Sequence, residues 1–265
     1  MLLLVLKLTL TPLLIGGASL AARRWGPAVA GWIVALPLTS GPVLFFVALD
    51  HGPSFAADAA VGTTLGLGAI VAYSLGFAAA ASRGPAAALI VATVCYVAAG
   101  LVLQLVAGWP MVLLAAVVTL AILATLRVLP AATGGRTPGR HPSWDMPARV
   151  VVGTVLVVGL TTAAPLLGPT VSGIVTTFPV YVSVLSVFAF LHGGLPAAIG
   201  TLRGALIGLP GTVAFYLPIH YLIVGAGVGP AFALSLAITA VIGAMALPRA
   251  RGIGSMAEQL DVEMV

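Results

Sequence analysis

Two stretches of this sequence set proline beside hydroxyl side chains inside long apolar runs. The first is Pro37-Leu38-Thr39-Ser40-Gly41-Pro42; the second is Thr176-Thr177-Phe178-Pro179-Val180-Tyr181. A proline within a helix removes one amide hydrogen and clashes with the carbonyl four residues back. Those carbonyls belong to Ile33, Leu38 and Val175. In lipid, freed carbonyls persist only where protein or a water-filled cavity satisfies them. Ser40 or Gly41 is expected to cap the second half-helix, with Pro42 near its first position. That directs a positive helix end to the bilayer midplane, where it holds an anion or a polar group. The chemistry implied is non-covalent: a substrate or ion site built from Thr39, Ser40, Gly41, Thr176, Thr177 and Tyr181. The alternative is that both breaks are structural kinks whose Ser and Thr hydroxyls satisfy the freed backbone.

Ionisable residues inside a membrane are functional candidates by default. Lys7 lies in the second turn of the first apolar run. It either snorkels to the outer surface or pairs with Asp50 or Asp58 at an outer gate. Asp50, His51 and His220, near outer helix ends, are candidate proton-handling groups. His192 and Arg203 have the same character at the inner side. There is no His-Glu-x-x-His, Cys-x-x-Cys, P-loop or dinucleotide fingerprint. His51, His141, His192 and His220 are scattered along the chain, which disfavours a metal site. The six acidic residues fall at interfaces or in the tail, so no carboxylate pair sits at depth. An enzyme, a metal centre and a bound cofactor are therefore not expected.

The elements that must position these residues follow from composition. The chain is 61% hydrophobic and 6% charged, with a mean hydropathy of +1.21. Soluble domains carry about 25% charged residues, so lipid must solvate most of this surface. A spanning helix needs roughly 20 apolar residues. Apolar runs between charges and Gly-Pro pairs predict nine helices, at 2–22, 27–49, 63–82, 85–106, 109–129, 148–166, 169–191, 205–225 and 228–247. Residues 50–62 and 192–204 are too short to span and read as interfacial or re-entrant segments. The Pro- and Gly-rich stretch 130–147 reads as a linker.

The net charge of +5 comes from ten arginines and one lysine against six acids. The arginines sit singly or in pairs between apolar runs, which marks topology rather than nucleic-acid binding. The charges Arg23 and Arg24 follow the first apolar run, so it reads as an uncleaved helix with its N-terminus outside. On a nine-helix count, every arginine then falls inside and only Lys7 lies toward the outer face.

Residues 26–52 align without gaps to 168–194. Eight of 27 positions match: Gly26/Gly168, Pro27/Pro169, Val29/Val171, Gly31/Gly173, Pro37/Pro179, Phe46/Phe188, Leu49/Leu191 and Gly52/Gly194. Tyr73 and Tyr216 follow in each half, then Gly84-Pro85 and Gly229-Pro230. The fold expected is an all-α membrane protein with two inverted four-helix repeats joined by a connector. Its parts are a first repeat at 1–106, the connector helix at 107–129 and a cytoplasmic linker at 130–147. A second, inverted repeat covers 148–247, and a cytoplasmic tail covers 248–265. Inverted repeats are frequent in secondary transporters.

The second repeat also resembles GlpM, a family of small four-helix inner-membrane proteins. The resemblance rests on Phe178-Pro179-Val180, Leu202-Arg203-Gly204-Ala205-Leu206-Ile207-Gly208 and Phe215-Tyr216-Leu217-Pro218. It covers roughly 150–247, and more faintly 1–106, where Gly62 stands at the position of Arg203 and Leu36-Pro37 replaces Phe-Pro. It implies two GlpM-like units fused through the connector, in a membrane of the bacterial inner type; the arginine asymmetry puts the C-terminus on the cytoplasmic side.

The leading functional expectation is a small secondary transporter, possible coupling being to protons, with membrane lipids and a small or largely apolar solute as its partners. A non-transporting subunit of a polysaccharide or lipid export system, and a flippase for a lipid-linked intermediate, are the alternatives. The topology has a direct test. In a Cys95→Ala background, Arg136→Cys and Asp50→Cys should react with an impermeant thiol reagent from opposite sides. Reaction from the same side would refute the helix count.

Overall fold

The computed structural model describes residues 2–132, 142–163 and 177–263. Within them the chain is helical, and no strand occurs among the described residues. The helices are α1 (Leu2–Trp25), α2 (Pro27–Ala35), α3 (Ser40–His51), α4 (Pro53–Ala80), α5 (Pro85–Leu103), α6 (Met111–Val128), α7 (Asp145–Ala163), α8 (Val180–Ala226) and α9 (Val228–Glu263). Among the described residues, six helical segments are long and apolar enough to cross a membrane: Pro27–His51, Pro53–Arg83, Pro85–Val106, Met111–Val128, Val180–Ala226 and Val228–Ile253. The chain is a multi-pass membrane protein by this criterion.

One backbone device turns the chain five times among the described residues. Gly26, Gly52, Gly84, Gly194 and Gly227 have φ between 74° and 98°, and at Gly52 ψ is 163°. Only glycine adopts such torsions without strain. In three cases proline follows at once and opens the next helix, at Pro27, Pro53 and Pro85. Its missing amide hydrogen is one the first turn leaves unpaired anyway.

The fourth of these turns lies inside α8, where Gly194 (φ 74°, ψ −167°) separates 180–193 from 195–226. Residues 50–62 and 192–204 are therefore not separate interfacial segments. Pro53 and Leu195 begin long helices that run on through them, because Gly52 and Gly194 place the corner at the start of each stretch. The other boundary changes are smaller. Helix α7 opens at Asp145, inside the expected linker, and α9 continues past Pro248 to Glu263. Residues 133–141 of the linker and 164–176, with Gly168 and Pro169, lie outside the described residues.

The interior is built from α4 and the 195–226 part of α8, with Tyr73, Phe77, Phe215 and Tyr216 fully covered. The outward faces of α5 and α6 carry Ile90, Val94, Leu120 and Val128, each more than 60% exposed. Such a belt suits acyl chains and not water.

Helix α2 seats on α8 with almost no side chain between them. A Cβ at Gly204 would run into the Ala28 carbonyl, and one at Gly31 into the Thr201 carbonyl. A Cβ at Gly208 would lie 2.8 Å from Ala35 Cβ. Small residues spaced by four on a membrane helix permit this approach. Gly204→Leu should lower stability by about 3 kcal/mol, the upper end of ordinary overpacking, measured as unfolding in detergent. Gly16→Leu, at a glycine with open space around it, should change stability little. Equal effects would refute the packing argument.

Candidate functional site

The chain leaves the helix between α2 and α3, and Pro37 lies in that gap. Its backbone polar groups are largely taken up. Leu36 N donates to Ile33 O at 3.2 Å, and Gly41 N to Pro37 O at 3.0 Å. The Ala35 carbonyl accepts the Thr212 hydroxyl from α8. Thr39 precedes α3 and makes no side-chain capping bond. Ser40 and Gly41 are already the first two helical residues and Pro42 the third, so neither acts as the expected cap. Their side chains face different partners. The Thr39 hydroxyl lies within reach of the Tyr181 phenol, which also pairs with Thr11 Oγ1 at 3.1 Å. Ser40 lies beside the Tyr216 phenol, and Gly41 faces Phe215, whose Cζ would be 3.2 Å from an added Cβ.

The second interruption is Thr177-Phe178-Pro179, directly ahead of α8. Thr176 lies outside the described residues. Val180 N donates to Phe178 O at 2.8 Å. The Pro179 carbonyl accepts both Ser183 N and Ser183 Oγ, each at 2.9 Å. Phe178 wedges edge-on between Tyr73 and Tyr96, with centroids 6.2 and 5.4 Å away. Thr177 Oγ1 and Tyr96 OH are 2.8 Å apart.

Thr177 lies at a cleft of about 310 Å³ between α4 and α5. Phe55, Ala59 and Gln104 line it toward one end of the bundle, and Gly62, Thr63, Gly66, Tyr96 and Gly100 line its length. Gly62 on α4 keeps it open, with nothing within 4 Å of where a Cβ would stand. At Gly66 a Cβ would meet Thr177 Oγ1 at 2.6 Å, so Thr177 occupies the place of that missing side chain. The lining offers hydroxyls and one carboxamide, and none of these residues carries a charge. It suits a small neutral molecule.

The structure thus brings Thr39 near Tyr181, but Thr177 lines this cleft and Thr39, Ser40 and Gly41 do not. Among the gate candidates, Asp50 and Asp58 are exposed. His220 Nδ1 donates to the Ala57 carbonyl at 3.0 Å. Lys7 belongs to α1, and its side chain lies outside the described part.

Among the described residues the most connected ionisable group is Asp145, an acid of the expected linker. Asp145, with no exposed surface, opens α7. Its carboxylate accepts Arg149 Nε at 3.0 and 3.1 Å and Arg23 Nη2 at 3.2 Å. His192 Nε2 stands 3.1 Å away. The group ties α1, α7 and the Gly194 bend together. Burial pushes the Asp145 carboxyl up, but Arg149, then Arg23 and His192, outweigh it and hold it below the usual carboxylate value. The signal available was the Asp145/Arg149 spacing of four, one helical turn, masked by the proline-rich stretch in front of it. At the same end, Arg203 Nη1 donates to the Leu129 and Pro130 carbonyls at 2.8 and 3.3 Å, closing off α6.

No family model, curated protein or solved structure matches this chain.

Asp145→Asn leaves the Arg149 guanidinium buried without its counter-charge and should cost roughly 3–5 kcal/mol. Asp145→Asn with Arg149→Met should recover most of that loss in thermal unfolding. Because the native carboxyl lies below its ordinary value, its contribution is complete above the unfolded pKa. It fades as pH falls through the native one, so wild type should lose more stability in acid than Asp145→Asn. Equal acid sensitivity, or no recovery in the double variant, would remove the cluster's structural role.

Proposed function

We propose that the chain is a small secondary-type transporter for a neutral or largely apolar solute, working by alternating access around its interrupted helices. The observation that carries this reading is the neutral cleft of about 310 Å³ that reaches Thr177 where the chain is not helical. Polar backbone at an interruption is tolerated in a membrane where it is buried in protein or lines a cavity. Here the cleft and the interruption coincide. The lining favours a solute recognised by hydroxyls rather than by charge.

Nine spans with inverted repeats fit the same reading. At 1.5 Å per residue, the 47 residues of α8 would extend about 70 Å, more than twice a hydrocarbon core of about 30 Å. Dividing α8 at Gly194 separates the expected seventh helix, 169–191, from the eighth, and counting α1 and α7 beside the six segments then makes nine. Gly52 and Gly194 then begin corresponding helices that bury Tyr73 and Tyr216, and Gly84 and Gly227 end them. An odd number of spans between the copies inverts the second.

On this topology the cleft opens outward. In a Cys95→Ala background reconstituted in vesicles, Thr177→Cys should react with a small impermeant methanethiosulfonate from either side, as alternating access requires. Gly62→Leu should slow the outside reaction at least tenfold. Its side chain enters open space, so folding should hold. A thiol inert from both sides would mean that the interruption is structural, and the transporter reading would fall.

A further inference from the structure

A second cavity, of about 60 Å³, lies at the opposite end of the bundle, where the end of α1, the start of α2, the first turns of α7 and the Gly194 bend meet. Its polar lining comes from Ser19, Arg23, Arg149, His192 and Thr201. The remaining wall is small and apolar.

We propose that this cavity binds a small monovalent carboxylate. Three observations carry the proposal. The first is charge. Arg23 and Arg149 share one carboxylate, Asp145, so these three side chains together keep a positive charge. The second is donors. Arg149 gives Asp145 only its Nε, and among the described residues its terminal nitrogens make no hydrogen bond. Its side chain is only 6% exposed. A guanidinium carries five N–H donors in a planar fork that suits carboxylates, and four are left. The third is Ser19. Its hydroxyl lines the cavity, the residue is 1% exposed, and the oxygen has no hydrogen-bond partner. A buried hydroxyl without a partner is costly, and an oxyanion would accept from it and from Arg149 alike. Thr201 already donates to Ala197 O, so it adds no free donor. The space admits about three or four heavy atoms, which selects formate or acetate over a phosphodiester headgroup.

The site is independent of the transport reading and is tested on the whole protein in detergent. Sodium formate is titrated at constant ionic strength against sodium chloride, with thermal unfolding followed. Binding is measured directly by saturation-transfer NMR on formate. Formate should raise the unfolding temperature by several degrees beyond chloride and give a saturation signal. Ser19→Val removes the free hydroxyl and fills part of the cavity. It should unfold within a few degrees of wild type in chloride and lose the formate shift and signal at least fivefold. Ala189→Ile, which narrows the cavity from the α8 side, provides a second blocking variant should Ser19→Val fold poorly. Formate effects that persist in the folded variants would overturn the proposal. So would no formate effect in wild type, or a shift given by phosphatidylglycerol in nanodiscs but not by formate.

Discussion

The close seating of α2 on the 195–226 part of α8 is the constraint on which the rest of the bundle depends. Lipid tails are as apolar as leucine, so membrane helices associate through van der Waals contact and hydrogen bonds rather than by escaping water. Both require backbones to approach, and Gly31, Gly204 and Gly208 let them. That approach brings the Thr212 hydroxyl to the Ala35 carbonyl. It therefore settles where α2 can end. The same contact sets Gly41 against Phe215 and Ser40 beside Tyr216.

A helix interrupted inside hydrocarbon exposes polar backbone at several kcal/mol per group. This chain meets that demand locally. Thr212 covers Ala35, Ser183 covers Pro179, and Arg203 covers Leu129 and Pro130. These contacts are what a structural kink requires. They differ in what they leave open. The first interruption is closed over by α8. The second stands at a cleft that Gly62 leaves open, with Thr177 seated on Gly66 and Tyr96 in its wall. The asymmetry arises from α4, whose glycines fall opposite the second break and whose larger residues pack elsewhere.

Much of the architecture is legible in the residues because lipid leaves few options. An apolar chain with scarce charge must be a set of helices, and Gly-Pro pairs at 26–27, 52–53 and 84–85 mark three of the five corners. The other two are harder to read. At Gly194 and Gly227 the proline follows two or three residues later, at Pro196 and Pro230. Without an adjoining Gly-Pro pair, nothing in 192–204 marks Gly194 as a corner with a long helix behind it. Side-chain partners across the bundle are less legible still. Equal depth of Pro37 and Pro179 suggested one shared site, yet rotation about the helix axis decides which face a hydroxyl occupies. Thr39 lies toward Tyr181 while Thr177 turns to Tyr96.

The Asp145 cluster follows from the corner at Gly194. A chain that reverses there presents helix ends, and charged side chains at those ends escape the hydrocarbon while remaining close enough to pair. Arg23 ends α1, Asp145 and Arg149 begin α7, and His192 stands two residues before the bend. Asp145 at a helix N-terminus also meets the positive end of the α7 dipole. One carboxylate thus joins three elements beside a cavity that Ser19, Ala22, Ala30 and Ala189 leave at that level. Small residues here have the opposite effect from those on the α2–α8 seam. Between continuous helices they draw backbones together. At a corner, where the chain diverges, they leave space that only a polar group can occupy beside two guanidinium ions.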